Sequence, residues 1–239
     1  MTYRDIAILH EDNHILVVVK PRGIPVAADE TGDENLLDML KQYLVDSKNK
    51  PGKAYLGLVH RLDRPAGGVM VFAKTTKAAD RLSEAIRNHT IEKRYLAIIS
   101  GVPREKRATL TNYLLKDNGL NKVRVVPMAT EGAKKAVLSY KILDWTTDGK
   151  YSLADVDLET GRAHQIRIQM ATAGHPLYGD HKYGDARGRA ELALWSYRLR
   201  FTHPTTKETM SFIAYPPIDE EPYSFFDINR FLTVSVKDD

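Results

Sequence analysis

Cysteine is absent from the 239-residue sequence, which excludes disulfide bonds, thiolate zinc sites and a cysteine nucleophile. Long apolar runs are absent too, because no stretch approaches the roughly eighteen residues that a membrane-spanning helix needs. The N-terminal residues MTYRDIAILHEDNH carry charge where a secretory signal peptide is apolar. These absences together predict a cytoplasmic protein.

The sequence has little excess charge of either sign. Its 35 Lys and Arg against 31 Asp and Glu give a net charge of +4, and 43% hydrophobic with 28% charged residues are ordinary globular values. The segment 161–203 is nevertheless basic, with seven Lys and Arg, three Asp and Glu, and four of the eight histidines. This segment either forms a solvated basic face or binds a polyanion such as nucleic acid.

The pattern of apolar residues predicts more strand than helix. Helices are expected after a cap at Asp33, over residues 77–88 after a cap at Thr76, and over residues 163–173. Strands and helices do not alternate regularly, which excludes a doubly wound fold and predicts an α+β chain. The expected strands lie at residues 6–9, 15–19, 68–74, 95–99, 138–143, 151–158, 194–201 and 210–214.

Three short segments combine residue types that can perform chemistry. The first, HRLDRPAGG, is a charged loop between apolar strands; its Asp63 is either functional or the cap of a solvated turn. In the second, GRAHQIR, His164 and Arg167 are three residues apart and would share one face of a helix. In the third, EKRYLA, Tyr95 is either a core aromatic or a functional group.

Two further patterns fall short of a known kind of site. The run GVMVFAKT nearly matches a phosphate-binding loop, but Ala73 replaces its second glycine and its central residues are typical of a core strand. The histidines lack the spacing of metal ligands on a helix, and the pair His10 and His14 brackets a predicted turn. We therefore expect neither a nucleotide-binding loop nor a metal site.

Five stretches along the chain form an ordered set. They are ILVVVKPRGIPV, HRLDRPAGGVMVFAKT, EKRYLAIISG, GRAHQIRIQMATAGHPLYGDHKYG and LALWSYRLRFTHPTT, and they lie between Ile15 and Thr206, within a region of similarity over about residues 6–215. Together they resemble the RluA family of pseudouridine synthases, with a departure at Ala66 and Gly67, where many members carry Thr-Ser. The resemblance implies a single catalytic domain over residues 1–239, without the small N-terminal RNA-binding domain of some members.

The resemblance also implies a fold and a reaction. The fold is α+β, with a mixed, largely antiparallel sheet, flanking helices and a central catalytic cleft. The reaction is a cofactor-free isomerisation of uridine to pseudouridine in ribosomal or transfer RNA, after the target base has left its stack. The resemblance implies no metal, small-molecule cofactor or membrane partner, and we expect a monomer.

The resemblance further implies roles for individual residues. Asp63 is the essential carboxylate that acts at the ribose, and Arg167 is its ion-pair partner in the cleft. Tyr95 packs on the uracil, and its hydroxyl is placed for the final proton removal. Arg61 enters the helix position that the flipped base vacates. The expected RNA contacts are Arg61, Arg64, Arg162 and His164.

Two other functions remain open from the residues. A non-catalytic RNA- or ribosome-binding protein on the same fold would be expected to lack the aspartate or the arginine, whereas Asp63, Tyr95 and Arg167 are all present. An N-glycosidase would use the same carboxylate to release the base instead of reattaching it. Only analysis of the product separates this second alternative from an isomerase.

Overall fold

The computed structural model describes residues 1–48, 54–117, 119–184 and 190–235. The chain divides into two compact units. The first comprises Met1–Lys93 and Ser196–Ala214, and the second comprises Arg94–Trp195 and Tyr215–Asp239.

The first unit combines antiparallel strands with two helices. Its strands follow the order β1-β2-β4-β10, with β3 beside β4 and β11 beside β10. Helix α2 packs Ala78 and Leu82 against Val17 and Val71, as its apolar spacing predicts. After a 3-10 turn at Tyr3–Asp5, the elements are β1 (Ile8–Glu11), β2 (Ile15–Lys20), α1 (Leu36–Lys48), β3 (Gly57–Leu58), β4 (Gly67–Ala73), α2 (Thr76–Arg87), β10 (Leu194–Thr202) and β11 (Thr209–Ile213). Of β10, the residues from Ser196 onward belong to this unit.

Both predicted helix caps in this unit are wrong, by one or two residues. Helix α1 is capped by Asn35 and not by Asp33, because the Asn35 side chain accepts the N–H of Asp38 at 3.1 Å. Helix α2 is capped by Thr75, one residue before the predicted Thr76, since its hydroxyl accepts the N–H of Ala78 at 3.1 Å. In each case the residue directly before the first helical turn satisfies its N–H groups.

The second unit is built on the strand order β5-β9-β8-β6-β7. Helix α3 packs Ile168 against Leu114, Val123 and Ala136 of these strands. Strands β6 and β7 were not predicted from the sequence. The elements are β5 (Glu92–Ser100, from Arg94 onward), β6 (Arg107–Asp117), β7 (Lys122–Val126), β8 (Lys134–Trp145), β9 (Tyr151–Asp157), α3 (Gln165–Thr172) and α4 (Ile228–Ser235), with a 3-10 turn at Tyr223–Phe225.

The strand pairings establish the fold class. Every pair whose register is described within a unit is antiparallel, and the helices are few. The predicted α+β class is therefore confirmed. Among the described residues, no helix is both long and apolar enough to cross a membrane.

Candidate active site

Asp63 lies in the loop between β3 and β4, and this loop closes around a buried lysine. Lys20 ends β2, is fully buried, and donates from Nζ to three backbone carbonyl oxygens. These belong to Pro21 at 2.9 Å, Arg64 at 3.0 Å and Ala66 at 2.6 Å. The N–H of Ala66 also donates to the carbonyl of Asp63 at 3.0 Å. One ammonium group thus holds the main chain that follows Asp63.

Burial changes the acid–base behaviour of Lys20. Removal from water lowers the pKa of the Lys20 ammonium to about 7, opposed by the attraction of the Asp63 carboxylate and assisted by the repulsion of Arg64. The charges of Lys20 and Asp63 therefore interact in addition to the hydrogen bonds. The sequence reasoning missed this lysine, although it ends the apolar run ILVVVK, where a lysine that is to be buried needs partners.

His60 and Gly68 fix the two ends of the Asp63 loop. His60 accepts the N–H of Val71 on Nε2 at 3.0 Å. Desolvation, and next the charge of Lys93, lower the pKa of His60 to about 4, so the ring is neutral at pH 7. Gly68 has a φ of +117°, and a Cβ there would lie 2.2 Å from the backbone oxygen of Ser196. A bond from the main chain to the His60 side chain at one end, and a close approach of main chains at the other, therefore set the position of the loop.

The two arginines of this loop differ in their surroundings. Arg61 is exposed, as an RNA-inserting side chain would be. Arg64 donates from Nε to the carbonyl of Gly23 at 3.0 Å and from Nη2 to Asp33 at 2.5 Å. The N–H of Gly23 in turn donates to the carbonyl of Arg64 at 2.9 Å. Arg64, which we predicted to contact RNA, connects the Asp63 loop to the segment after β2.

Tyr95 lies on β5 in the second unit and is only 5% exposed. It stands opposite Val156 of β9, which is itself opposite Tyr140 of β8. Arg94 points to the other face of the strand, where it forms a two-bond pair with Asp155 at 3.2 and 2.5 Å. The Tyr95 ring and the basic side chain before it thus serve opposite faces.

Arg167 lies on α3 and is buried against an aspartate that the sequence reasoning did not assign to the site. Its Nε donates to Oδ2 of Asp180 at 2.8 Å, and its Nη2 donates to Oδ1 at 2.7 Å. Asp180 is fully buried and also accepts the N–H groups of Lys182 and Tyr183. Burial opposes ionisation of Asp180, but these bonds and the Arg167 charge together lower its pKa. Asp180 therefore orients the Arg167 guanidinium.

His164 lies before α3 and not on it. Its backbone is left-handed, with φ of +51°, and its side chain forms no cap bond with the helix. The expectation that His164 and Arg167 share a helix face is therefore wrong. Both nevertheless contact Tyr183: His164 Nδ1 lies 2.7 Å from its hydroxyl, and the Arg167 guanidinium lies 5.3 Å from its ring centroid.

The basic segment 161–203 does not form one exposed face. Arg167, Arg198 and His203 are buried, so they are unavailable as phosphate contacts on a surface. Arg162 is exposed, and its Nε donates to the carbonyl of Lys135 at 3.0 Å. Arg200 is half-buried, with Nη1 4.0 Å from a carboxylate oxygen of Glu92. The remaining two arginines of the segment, Arg187 and Arg189, lie outside the described residues.

The structure assigns the expected site residues to two units. Asp63 lies in the first, and Tyr95 and Arg167 lie in the second. The ion pair between Asp63 and Arg167 stays a prediction. In the described parts of the chain, no group of three or more His, Asp or Glu side chains is arranged to hold a metal ion.

Comparison with known proteins identifies relatives over most of the chain. The profile of a family described as RNA pseudouridylate synthase matches residues 14–172. The uncharacterized RNA pseudouridine synthase YhcT of Bacillus subtilis is 35% identical over 222 residues, which cover 91% of this chain and 70% of that protein. Ribosomal large subunit pseudouridine synthase D of Neisseria meningitidis serogroup A is 35% identical over 239 residues, covering 93% and 61%.

A third relative agrees with these matches. Ribosomal large subunit pseudouridine synthase C of Escherichia coli is 34% identical over 226 residues, covering 89% of this chain and 66% of that protein. The chain thus spans between 61% and 70% of the length of these three relatives.

The solved structures support the fold alone, because their sequence identities are low. Human RNA pseudouridylate synthase domain containing 4 is 23% identical with a TM-score of 0.74, covering 92% of this chain and 90% of that one. Human RNA pseudouridylate synthase domain containing 1 is 20% identical with a TM-score of 0.75, covering 98% and 96%. The sequence matches confirm the expected family and activity class: the chain belongs to the RluA family of RNA pseudouridine synthases, isomerases that convert uridine to pseudouridine.

Proposed function

We propose that this chain modifies a uridine in a stem-loop of ribosomal or transfer RNA, with Asp63 acting at the ribose. The observation that carries the proposal is the clamped Asp63 loop, in which buried Lys20 bonds the backbone after Asp63 and its charge attracts the carboxylate. A carboxylate fixed beside cations suits a reaction in which positive charge develops on a sugar carbon.

The chemistry requires the carbon–nitrogen bond between ribose and uracil to break and a carbon–carbon bond to replace it. In our proposal Asp63 either bonds to the anomeric carbon as the carbon–nitrogen bond breaks, and is displaced when the carbon–carbon bond forms, or takes the neighbouring sugar proton and later returns it, while Arg167 stabilises its charge. The uracil keeps the electron pair of the broken bond and turns. Tyr95 removes the proton from the newly bonded ring carbon, and the freed ring nitrogen gains a proton. Every atom of the substrate is retained, and the proposed steps assign no role to a cofactor.

The RNA must present the reacting atoms by flipping the uridine out of its stack. We propose that exposed Arg61 fills the vacated position, and that Arg162 and His164 contribute RNA contacts. Sequence-specific RNA recognition usually targets loops and bulges, which supports a stem-loop uridine. The Neisseria and Escherichia relatives are named for the large ribosomal subunit, which favours ribosomal RNA as the first substrate class to examine.

We further propose that the enzyme is a cytoplasmic monomer with one catalytic domain. The cysteine-free sequence supports the cytoplasmic part of this proposal. Sedimentation of the purified protein with and without RNA tests it. A dimer in both conditions would contradict it.

The decisive experiment maps pseudouridine across cellular RNA with and without the gene, and with the Asp63→Asn variant. The amide keeps the shape of the side chain and loses its charge, so we expect no detectable pseudouridine and RNA affinity within about threefold of wild type. Asp80→Asn, an exposed position on α2, is the matched control and should keep wild-type activity.

Each other outcome points to a different function. Substantial turnover by Asp63→Asn would remove Asp63 from its proposed role. Release of free uracil by the wild-type protein would indicate the N-glycosidase. RNA binding without any change of the RNA would indicate the non-catalytic alternative.

A chelator tests the proposed independence from metals. We expect the rate in excess EDTA to stay within about twofold of the untreated rate, provided that the substrate is a short stem-loop whose fold is stable in monovalent salt. Loss of activity that zinc restores, without a change in the RNA fold, would contradict the proposal. Circular dichroism of the RNA alone is the control.

A further inference from the structure

Tyr183 follows the buried Asp180 and contacts the Arg167 pair with both its backbone and its ring. Its N–H donates to Oδ1 of Asp180 at 3.1 Å. The centroid of its ring lies 5.3 Å from the guanidinium carbon of Arg167, within the range of a cation–π contact. Asp180 thus accepts the hydrogen bonds of the guanidinium, and Tyr183 presents the face of its ring to it.

The hydroxyl of Tyr183 extends this arrangement to two other elements. It accepts the N–H of Val123 at 2.8 Å, and it lies 2.7 Å from Nδ1 of His164. Because a phenol has one proton and accepts from Val123, it can donate to His164 when that nitrogen is unprotonated. His164 is also held edge-on to the same ring, with centroids 5.6 Å apart. The hydroxyl therefore fixes the ring from two directions.

The contact with Val123 attaches an outlying hairpin to this ring. Strand β7 comes last in the strand order of the second unit, and its described pairing partner is β6. The hydroxyl of Tyr183 accepts a hydrogen bond from a backbone N–H of that strand. The neighbouring Lys182 donates from Nζ to the carbonyl of Asn121 at 2.7 Å, just before the strand begins. The hairpin of β6 and β7 is thus attached to the segment that also bonds Arg167.

We propose that Tyr183 is a positioning residue for the isomerisation: its ring, anchored by its hydroxyl to β7 and His164, keeps the Arg167 guanidinium in its active orientation. The inference rests on the proposed role of Arg167. A phenylalanine would supply the same ring, but without the hydroxyl the ring would lose both anchors. If the ring served only for packing, the two hydrogen bonds of its hydroxyl would not be needed.

The test compares Tyr183→Leu, Tyr183→Phe and the control Tyr140→Phe. Tyr140 is a buried tyrosine of the same unit, and its hydroxyl donates to the carbonyl of Glu105 at 3.1 Å. At saturating RNA we expect Tyr183→Leu to lose about tenfold or more in single-turnover rate, and Tyr183→Phe about threefold to tenfold. Tyr140→Phe should keep its rate, and the RNA concentration at half-saturation should stay within about threefold throughout.

A double mutant shows whether Tyr183 acts through Arg167. Arg167→Lys alone should lose about tenfold or more, because an ammonium cannot reproduce the two-bond contact. In that background we expect Tyr183→Leu to cost less than about threefold further. Full, additive loss in the double mutant would overturn the proposal, as would Tyr183 variants that lose only RNA affinity or only melting temperature.

A readout without activity separates this inference from the proposed function. If the wild-type chain makes no pseudouridine, the proposed function fails, and the orientation of Arg167 is then followed by the NMR signal of its Nε–H group. Tyr183→Leu should shift this signal and speed its exchange with water, while Tyr140→Phe should leave it in place. An unchanged signal in Tyr183→Leu would overturn the positioning role.

Discussion

The Asp63 loop and the Arg167 helix hold their functional side chains in opposite ways. In the first, Lys20 donates hydrogen bonds to backbone carbonyls, and Gly68 lies so close to the backbone of Ser196 that a Cβ would not fit. In the second, a carboxylate and a ring, from Asp180 and Tyr183, contact the guanidinium itself. The first arrangement depends on the path of the main chain, and the second depends on individual side chains.

The two regions also compensate buried charge differently. Lys20 is surrounded by carbonyl dipoles, and its pKa falls to about 7 because those dipoles do not replace the water it lost. Asp180 meets the full charge of Arg167, and its pKa is lowered despite burial. A neutral residue in place of Asp180 would therefore remove the carboxylate that pairs with Arg167, whereas the partners of Lys20 are backbone carbonyls that any residue supplies.

The largest expected effects come from two glycines, one in each region. Gly68 has φ of +117° and Gly179 has φ of +70°; an added Cβ would lie 2.2 Å and 2.0 Å from backbone oxygens. Gly68→Ala and Gly179→Ala should each lower the free energy of unfolding by at least about 3 kcal/mol, since strain and overlap add. Urea denaturation of the purified variants measures this.

Each glycine has a control in its own unit. Gly23 has φ of +81° and Gly174 has φ of +86°, and an added Cβ at either would meet no atom within 4 Å outside its chain neighbours. Alanine there should cost only about 1 to 2 kcal/mol, from the backbone conformation alone. Equal losses at Gly68 and Gly23 would show that the close approach to Ser196 does not constrain the Asp63 loop.

The next largest expected effect is the loss of reaction rate when the hydroxyl of Tyr95 in the second unit is removed. If the Tyr95 hydroxyl removes the last proton, Tyr95→Phe should bind RNA normally and lose about 100-fold or more in rate, the usual contribution of a general base. If the ring only packs on uracil, the variant should behave like wild type. Pseudouridine formation and RNA affinity, measured side by side with Tyr140→Phe as the control, separate these roles.

A near-normal rate in Tyr95→Phe would leave proton removal to water or another group. Tyr95 would then contribute only an aromatic surface and not a proton-accepting hydroxyl. The contrast, in which the second unit acts through individual side-chain groups, would be weaker. Asp63 would remain as the side chain with a proposed chemical step.

Much of the fold could be predicted because local pattern and burial agree. Helix α2 shows the clearest case, since Ala78 and Leu82 repeat at helical spacing and are buried. Strands β6 and β7 were missed although residues 107–111 alternate between exposed and half-buried, because only Ala108 and Leu110 supply the apolar signal of that alternation. The caps were misplaced because Asp33 and Asn35, like Thr75 and Thr76, are equally good cap residues by type.

The site could be predicted only as far as the resemblance identified residue types. All five of Lys20, Asp63, Tyr95, Arg167 and Asp180 lie in the ordered stretches, but the resemblance assigned roles only to Asp63, Tyr95 and Arg167. Lys20 and Asp180 act through contacts with residues distant in the sequence. Asp180 is thirteen residues from Arg167, and no local pattern joins them. A general rule was nevertheless available, because a buried charge requires a partner.

The smallest expected effect is a pH dependence that belongs to the first region alone. His60 has a pKa of about 4 in the folded chain, against 6.5 for a free side chain. Between these values the unfolded chain binds a proton that the folded chain excludes, so stability falls as the pH falls. The slope from this one group is at most about 1.4 kcal/mol per pH unit.

His60→Gln should remove this slope, because the amide can still accept the Val71 N–H but does not titrate. Asp180, the acid of the second region, has its pKa lowered from 3.8, so its stabilising contribution is lost only below about pH 4, outside this window. Urea denaturation at pH 7, 6 and 5 should therefore show wild type losing roughly 1 kcal/mol more than His60→Gln between pH 6 and 5. Parallel curves for the two proteins would mean that the ring is already protonated or solvated in the folded state. The Asp63 loop would then be held by Lys20 and Gly68 without the bond from Val71.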